Sequence, residues 1–106
     1  MIINNVEIDN KAVVSNLKRL TNQIYKLLPN REENIDWQTP LKTIIEELSG
    51  MNRLVPVSYQ EIIFSLLCKL EGLNILNDED KFYEYRRTIF DCLNLIQTLK
   101  DMIEED

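Results

Sequence analysis

Apolar side chains recur at helical spacing through the first third of the chain. Five of them are separated by steps of four and three residues, the spacing of one face of an α-helix: Val13, Leu17, Leu20, Ile24 and Leu27. Asp9 or Asn10 supplies an N-cap, and Pro29 is the expected stop. We predict a helix over residues 10–28 and a polar surface loop over residues 29–36.

The second segment repeats this spacing over a shorter length. Its apolar face contains Leu41, Ile44, Ile45 and Leu48. The helix starts either with Asp36 as its N-cap or with Pro40 in the favoured first position, and Gly50 is the expected end. We predict a helix over residues 37–49.

The third segment has the clearest start signal. Ser58 and Glu61 are spaced as a capping box, in which each side chain bonds the backbone amide of the other residue. Val57 and Ile62 stand in the positions of a hydrophobic staple. A glycine ends the pattern, so we predict a helix over residues 59–71.

Apolar side chains surround this third helix almost completely. Phe64 and Cys68 lie on the side opposite its main apolar face, and a helix with so narrow a polar face is normally central in its fold. Cys68 and Cys92 both have apolar neighbours. We therefore expect a central third helix and two buried, reduced thiols.

The fourth segment is the longest. An apolar residue recurs every seven positions and a second series follows three positions later, which together form a heptad-like stripe: Phe82, Ile89, Ile96 and Ile103, with Tyr85, Cys92 and Leu99. Residues 77–80 offer an N-cap and first-turn carboxylates. We predict a helix over residues 79–104, about 38 Å long.

Four helices with short links predict an all-α fold, a single four-helix bundle-like domain over residues 1–106 with a long carboxyl-terminal helix. Glycine and proline together make up few of the residues, 2 and 3 respectively, which favours helices over tight turns. Residues 2–8 alternate weakly around Asn4 and Asn5. This segment forms either an extended arm or a small hairpin.

Composition excludes several functions. The 106 residues contain no histidine, which removes Ser-His and Cys-His nucleophiles and imidazole metal ligands. A net charge of −6 argues against direct nucleic-acid binding, which needs a basic surface. The amino terminus lacks a secretory-signal pattern, and no apolar run approaches the length of a membrane span. We expect a cytoplasmic protein that does not contact membranes.

Carboxylates are the remaining source of metal chemistry, and they suit Mg²⁺. A Mg²⁺-dependent nucleotide hydrolase needs acidic residues one helical turn apart on two helices. Glu46 and Glu47 have no such partner because positions 50 and 51 are Gly and Met, whereas Asp101 and Glu104 have turn spacing but lie in the final turn. We expect no metal, no cofactor and no catalysis.

The fourth helix carries the best candidate binding surface. Tyr83 and Phe90 lie roughly 140° from its main apolar stripe, and Arg86 and Arg87 flank them. Tyr, Phe and Arg are the residue types enriched in protein interfaces. The aromatic pair is either an interface or part of a core that encloses this helix. If it is an interface, homodimerisation is the simplest outcome.

Negative charge is concentrated at the carboxyl end of the same helix, in Asp101, Glu104, Glu105 and Asp106. Carboxylates are unfavourable at the negative pole of a helix dipole. We therefore expect this acidic end to fray or to contact a basic group. It also suggests a partial mimic of nucleic-acid charge that occupies a basic site on another protein.

Two stretches, 48–54 (LSGMNRL) and 67–73 (LCKLEGL), resemble segments of small helical proteins encoded by bacteriophages and other mobile elements. The resemblance covers about a third of the chain. It implies a short protein that acts stoichiometrically on another protein, for instance as an inhibitor or modulator of a host or defence protein. Asn52 and Arg53, expected in the connector after Gly50, would then contact the partner.

These observations favour a non-enzymatic, acidic, cytoplasmic protein-interaction module. An acidic nucleic-acid mimic is the first alternative, and a Mg²⁺-dependent nucleotide hydrolase is the second. The partner's identity cannot be read from the sequence.

Overall fold

A computed structural model describes residues 2–3 and 6–105. It confirms the all-α helical bundle with a long carboxyl-terminal helix. Two short 3₁₀ turns, Leu73–Ile75 and Glu79–Lys81, lie in the last connection. The four helices are α1 (Asn10–Glu32), α2 (Gln38–Leu54), α3 (Val57–Gly72) and α4 (Phe82–Glu104).

The helices form a ring in which each packs mainly against two others: α1 against α2 and α4, and α3 against α2 and α4. The Asn10 side-chain amide donates to the Ile103 carbonyl, and the Tyr85 hydroxyl donates to the Leu27 carbonyl. Thus α1 and α4 run antiparallel. We call the end that holds the α1–α2 and α3–α4 connections the upper end, and the opposite end the lower end.

Two two-residue strands precede α1 at the lower end: β1 (Ile2–Ile3) and β2 (Val6–Glu7). They pair antiparallel, with Ile2 opposite Glu7. Of the two alternatives for this segment, the hairpin is the one observed. Asn4 and Asn5 lie outside the described residues.

The heptad-like stripe of α4 forms the centre of the core. It packs against the apolar face of α1, and the side chains of both elements exclude water. The α4 members with no exposed surface are Tyr85, Ile89, Cys92, Ile96, Leu99 and Ile103, and those of α1 are Leu17, Leu20, Ile24 and Leu27. The predicted stripes are confirmed, although their first members, Val13 and Phe82, are only partly buried. Helical periodicity selects the residues that can be buried together.

The end of α1 differs from the prediction. The helix continues through Pro29 to Glu32, so residues 29–32 are not loop. Proline costs one intrahelical bond, but its fixed φ suits a helix. The actual stop is Asn34, whose φ of 58° is left-handed. The amide of Ile35 bonds the Asn30 carbonyl at 2.8 Å, and that of Asn34 bonds the Arg31 carbonyl at 3.2 Å, which together form a Schellman motif.

The predicted end of α2 is also wrong. The helix passes through Gly50 to Leu54, because Gly50 does not adopt the left-handed conformation that ends a helix. At the other end, the Asp36 carboxylate accepts hydrogen bonds from the amides of Gln38 and Thr39, as expected for a capping residue. Hydrogen bonding from Thr39, through its side chain and then its backbone, lowers the pKa of Asp36.

The capping box predicted for α3 does not form. The helix begins at Val57, and the Tyr59 amide bonds the Pro56 carbonyl at 3.0 Å. Ser58 therefore lies within the first turn, where it makes no capping hydrogen bond. Val57 is 80% exposed and cannot act as a staple. The earlier start places Tyr59 in the core.

Two further predictions for α3 and α4 need correction. Phe64 is 61% exposed and Cys68 is exposed, so α3 is an ordinary member of the ring rather than a central helix. The fourth helix begins at Phe82, after the 3₁₀ turn, and has no side-chain cap. The carboxylates of residues 78–80 precede α4 without capping it. Within the described ranges, none of the helices is long and apolar enough to cross a membrane.

We expect Gly50→Ala to stabilise the protein by about 0.5–1 kcal/mol. Gly50 lies inside α2 and a Cβ added there meets nothing within 4 Å, so alanine reduces backbone entropy in the unfolded chain without a clash. Urea unfolding followed by circular dichroism measures the change. Gly72→Ala, at the last residue of α3 with equal space, is a control whose gain should be smaller. A destabilised Gly50→Ala variant would contradict the prediction.

Candidate interaction surface on the fourth helix

The surface predicted from Tyr83, Arg86, Arg87 and Phe90 lies on the outside of α4. Tyr83 is 72% exposed and Phe90 is 41% exposed, and both arginines are exposed. The sequence left open whether Tyr83 and Phe90 are surface or core. In the single chain, neither ring is part of the core. We call these four residues the α4 patch.

The α4 patch is positively charged although the protein is acidic. The Arg86 guanidinium lies 5.4 Å from the centre of the Phe90 ring, a cation–π distance. The neighbouring carboxylate, Asp91, pairs at 3.5 Å with Lys69 of α3. Among the described residues, neither Arg86 nor Arg87 has an ion-pair partner, so both charges remain available to a ligand.

The opposite side of the same helix turn is packed tightly. The Tyr85 ring contacts Trp37 edge to face at 5.0 Å between centroids, and its hydroxyl donates to the Leu27 carbonyl at 3.1 Å. Burial raises the pKa of Tyr85, and the nearby Arg31 charge opposes this shift only in part. Tyr83 and Tyr85, two positions apart, therefore serve different purposes: one is surface and the other is core.

Arg31 was assigned to a loop by the sequence, but it joins the upper end of the bundle. Its guanidinium lies 4.3 Å from the Tyr85 ring centre, 5.5 Å from Phe82 and 5.7 Å from Trp37. Its Nη2 atom donates to the Asp78 carbonyl at 2.7 Å. Arg31 would have been found only by continuing the α1 helical register past Pro29, since it follows Leu27 by one turn.

A surface cleft opens beside Arg31, between the α1–α2 connection and the start of α4. Its rim includes the carboxylates of Glu32, Asp36 and Glu79. Because Arg31 is already held by three aromatic rings and the Asp78 carbonyl, we interpret it as a clamp that joins two connections.

Asn52 and Arg53 do not join the α4 patch. They lie inside α2, near the lower end, whereas Tyr83 lies at the upper end, and α2 is not one of the two main neighbours of α4. Arg53 is exposed, and Asn52 is half-buried with its Oδ1 atom lacking a hydrogen-bond partner. Their expected position in a connector is wrong, because α2 continues past Gly50.

The acidic end lies at the lower end of α4. Asp101, Glu104 and Glu105 are exposed, and Asp106 lies outside the described residues. The helix does not fray here: it remains helical to Glu104, and the Asn10 amide caps the Ile103 carbonyl at 3.2 Å. That hydrogen bond satisfies one of the last free carbonyls of the helix.

The carboxylates considered for a metal site lie on different helices. Glu46 and Glu47 belong to α2 and Asp101 and Glu104 to α4. Glu47 is engaged by Arg19, with Nη2 and Oε2 separated by 2.6 Å. Over residues 2–3 and 6–105, no three metal-ligating side chains come together.

Comparison of the chain with protein families, curated proteins and solved structures finds no match. The candidate site therefore rests on its own geometry.

Tyr85→Phe should lower the free energy of unfolding by about 0.5–1.5 kcal/mol, the usual contribution of one hydrogen bond, since it removes the bond to Leu27. Tyr83→Phe is the matched control, because it removes a hydroxyl from an exposed ring on the same helix. Its expected effect is close to zero. Guanidinium unfolding followed by Trp37 fluorescence measures both, and equal effects would contradict the assignment of one tyrosine to the core.

The two cysteines should differ sharply in reactivity. Cys92 is buried, and burial raises the pKa of its thiol to about 12, so it stays protonated near neutral pH and reacts slowly. Cys68 is exposed, contrary to expectation. A colorimetric disulfide reagent at pH 8 should label one thiol in the native protein and two after denaturation. Cys68→Ser should abolish the native signal; persistent labelling of that variant would contradict the buried assignment.

Proposed function

We propose that this protein is a non-enzymatic interaction module that binds another protein through the α4 patch. One observation carries the proposal: two aromatic rings, and two arginines without an ion-pair partner among residues 2–3 and 6–105, are exposed together on one face of the helix whose other face forms the core. Aromatic and arginine side chains contribute most of the binding energy in many interfaces.

The fold itself gives these side chains no stabilising role of comparable size. Tyr83 makes no hydrogen bond or ring contact within the described part of the chain, and Phe90 contacts the Arg86 guanidinium, an exposed interaction of about 0.5–1 kcal/mol. Burying the two rings against a partner removes apolar surface from water, at about 25 cal/mol per Å². Binding therefore supplies a stabilisation that the free protein lacks.

Other exposed aromatic rings do not form such a patch. Tyr25 on α1 is 56% exposed and Phe64 on α3 is 61% exposed, and among the residues described no arginine stacks on either ring. Single exposed apolar residues are common on protein surfaces. A cluster of exposed aromatic rings with adjacent cations is less common. It therefore favours the α4 patch, rather than Tyr25 or Phe64, as the binding surface.

The alternatives receive less support. An acidic mimic needs a continuous negative surface, but Arg86 and Arg87 interrupt the negative charge of α4. A Mg²⁺-dependent hydrolase needs converging carboxylates, whereas Glu46 and Asp101 belong to helices that are not main neighbours. We also propose that the protein is cytoplasmic and that it modulates its partner stoichiometrically, as the resemblance to phage-encoded proteins implies.

The test compares two double variants in affinity capture from the native cell extract. Tyr83→Ala/Phe90→Ala removes the rings of the α4 patch, and Tyr25→Ala/Phe64→Ala removes the same residue types elsewhere. The purified captured protein is then titrated by calorimetry. We expect the first variant to weaken binding by about 30-fold or more, the effect of losing a hot-spot residue, and the second to bind like the unmodified chain.

Both variants should fold, because all four rings are exposed. Circular dichroism and thermal unfolding check this. Equal affinity of the two variants for the captured protein would contradict the proposal, as would unfolding of Tyr83→Ala/Phe90→Ala alone, which would show that its rings stabilise the fold.

A further inference from the structure

The α4 patch is the upper half of a longer exposed face. Below it, polar residues continue on the same side of α4 to its last turn, and all of them are exposed. At 100° per residue these side chains fall within an arc of about 100°. We call this face the α4 outer face: Tyr83, Arg86, Arg87, Phe90, Asn94, Gln97, Asp101, Glu104 and Glu105.

Charge is sorted along the α4 outer face. Its cations, Arg86 and Arg87, lie near the upper end, and its carboxylates, Asp101, Glu104 and Glu105, lie near the lower end. Asp91 borders the α4 patch, but its carboxylate pairs with Lys69 of α3 at 3.5 Å. The face is therefore positive at one end and negative at the other.

The spacing of these charges is regular. Arg86 and Glu104 are about five helical turns apart, roughly 27 Å, and so are Arg87 and Glu105. A separation of five whole turns returns to the same angular position. Each arginine therefore has a glutamate on its own edge of the face.

We propose that the partner of the α4 outer face is a second copy of this chain, with the two α4 helices packed antiparallel about a two-fold axis. In this arrangement Arg86 faces the partner's Glu104, and Arg87 faces the partner's Glu105. The axis passes midway between Asn94 and Gln97. The inference rests on the proposed function and names the bound chain as a second copy. In this register Phe90 lies opposite the partner's Asp101, and Tyr83 lies beyond the end of the partner's α4 helix.

Symmetry favours this arrangement for a physical reason. A two-fold axis between antiparallel helices brings each edge of the face against the same edge of the other copy. Each edge carries one arginine and one glutamate five turns apart. The two-fold rotation therefore places each of the four arginines of the dimer opposite a glutamate. A parallel arrangement would instead place arginine beside arginine and glutamate beside glutamate.

The centre of the face is suited to specifying this register. Asn94 faces the partner's Gln97, and side-chain amides both donate and accept hydrogen bonds. A polar residue at the centre of a helix–helix interface selects register at a cost in affinity. Each exposed ion pair changes affinity only a few-fold, so we expect a weak, reversible dimer.

The test exchanges charge between the two ends of the face and measures mass by sedimentation equilibrium. Arg86→Glu/Arg87→Glu makes the face wholly negative, and Glu104→Lys/Glu105→Lys makes it mainly positive, with Asp101 as the remaining carboxylate of the face. We expect each variant alone to dimerise at least about tenfold more weakly than the unmodified chain, because like charges then face each other. An equimolar mixture should form a heterodimer at least as tight as the unmodified dimer.

Two controls complete the experiment. The four-fold variant that carries both changes has the charges at these four positions exchanged end for end, and it should recover most of the unmodified affinity. Lys26→Glu/Lys42→Glu changes the net charge by the same amount as the arginine variant, but at exposed positions of α1 and α2. It therefore separates a local effect from general charge repulsion. We expect its dimer affinity to stay within about twofold of the unmodified chain. Circular dichroism confirms folding of every variant.

Several outcomes would overturn the inference: a monomeric unmodified chain up to millimolar concentration, a dimer insensitive to Arg86→Glu/Arg87→Glu, or a mixture that does not associate. None of these removes the proposed function, because the aromatic variants test that with a captured protein rather than with self-association. Failure of both experiments would leave the α4 outer face without a partner and would reject both.

Discussion

The fold depends on the burial of one stripe of α4 against α1. Six side chains of that stripe, from Tyr85 to Ile103, have no exposed surface. Burial of this many large apolar groups is the main favourable term available to a small domain. It also fixes the rotation of α4 about its axis. With the stripe buried and α1 and α3 as the main neighbours of α4, Tyr83 and Phe90 lie on the side that faces solvent.

Tyr85 joins the apolar packing of α4 to the polar organisation of the upper end. Its hydroxyl bonds the Leu27 carbonyl and its ring supports Arg31. Arg31 in turn holds the Asp78 carbonyl, which positions the connection that precedes α4. A guanidinium is suited to this because it stacks on rings and still donates hydrogen bonds in its plane. The clamp lies beneath the α4 patch and holds the first turn that displays Tyr83.

The four helices were predictable because each contains a periodic apolar face. The start of α1 at Asn10 and the end of α4 at Glu104 also agree with the prediction, but several other ends do not. Pro29 and Gly50 are strong stop signals in isolation, yet both lie inside helices. Packing decided otherwise: the additional turn of α1 places Arg31 against three aromatic rings, and the extension of α2 leads to the buried Val55. Local capping contributes about 1 kcal/mol, which such burial readily exceeds. The capping box at Ser58 does not form for the same reason: the earlier start of α3 buries Tyr59.

The α4 patch shows the same division between local pattern and tertiary packing. By itself the sequence determined that Tyr83 and Phe90 share a side of α4 away from the main stripe, because the angle between residues in a helix is constant. It also determined the sorted charge of that helix. Whether Tyr83 and Phe90 belong to the core or to the surface depended on how many helices pack against α4. Only the tertiary structure decided this: α4 packs between α1 and α3 and against no helix on its outer side, so the rings stay exposed.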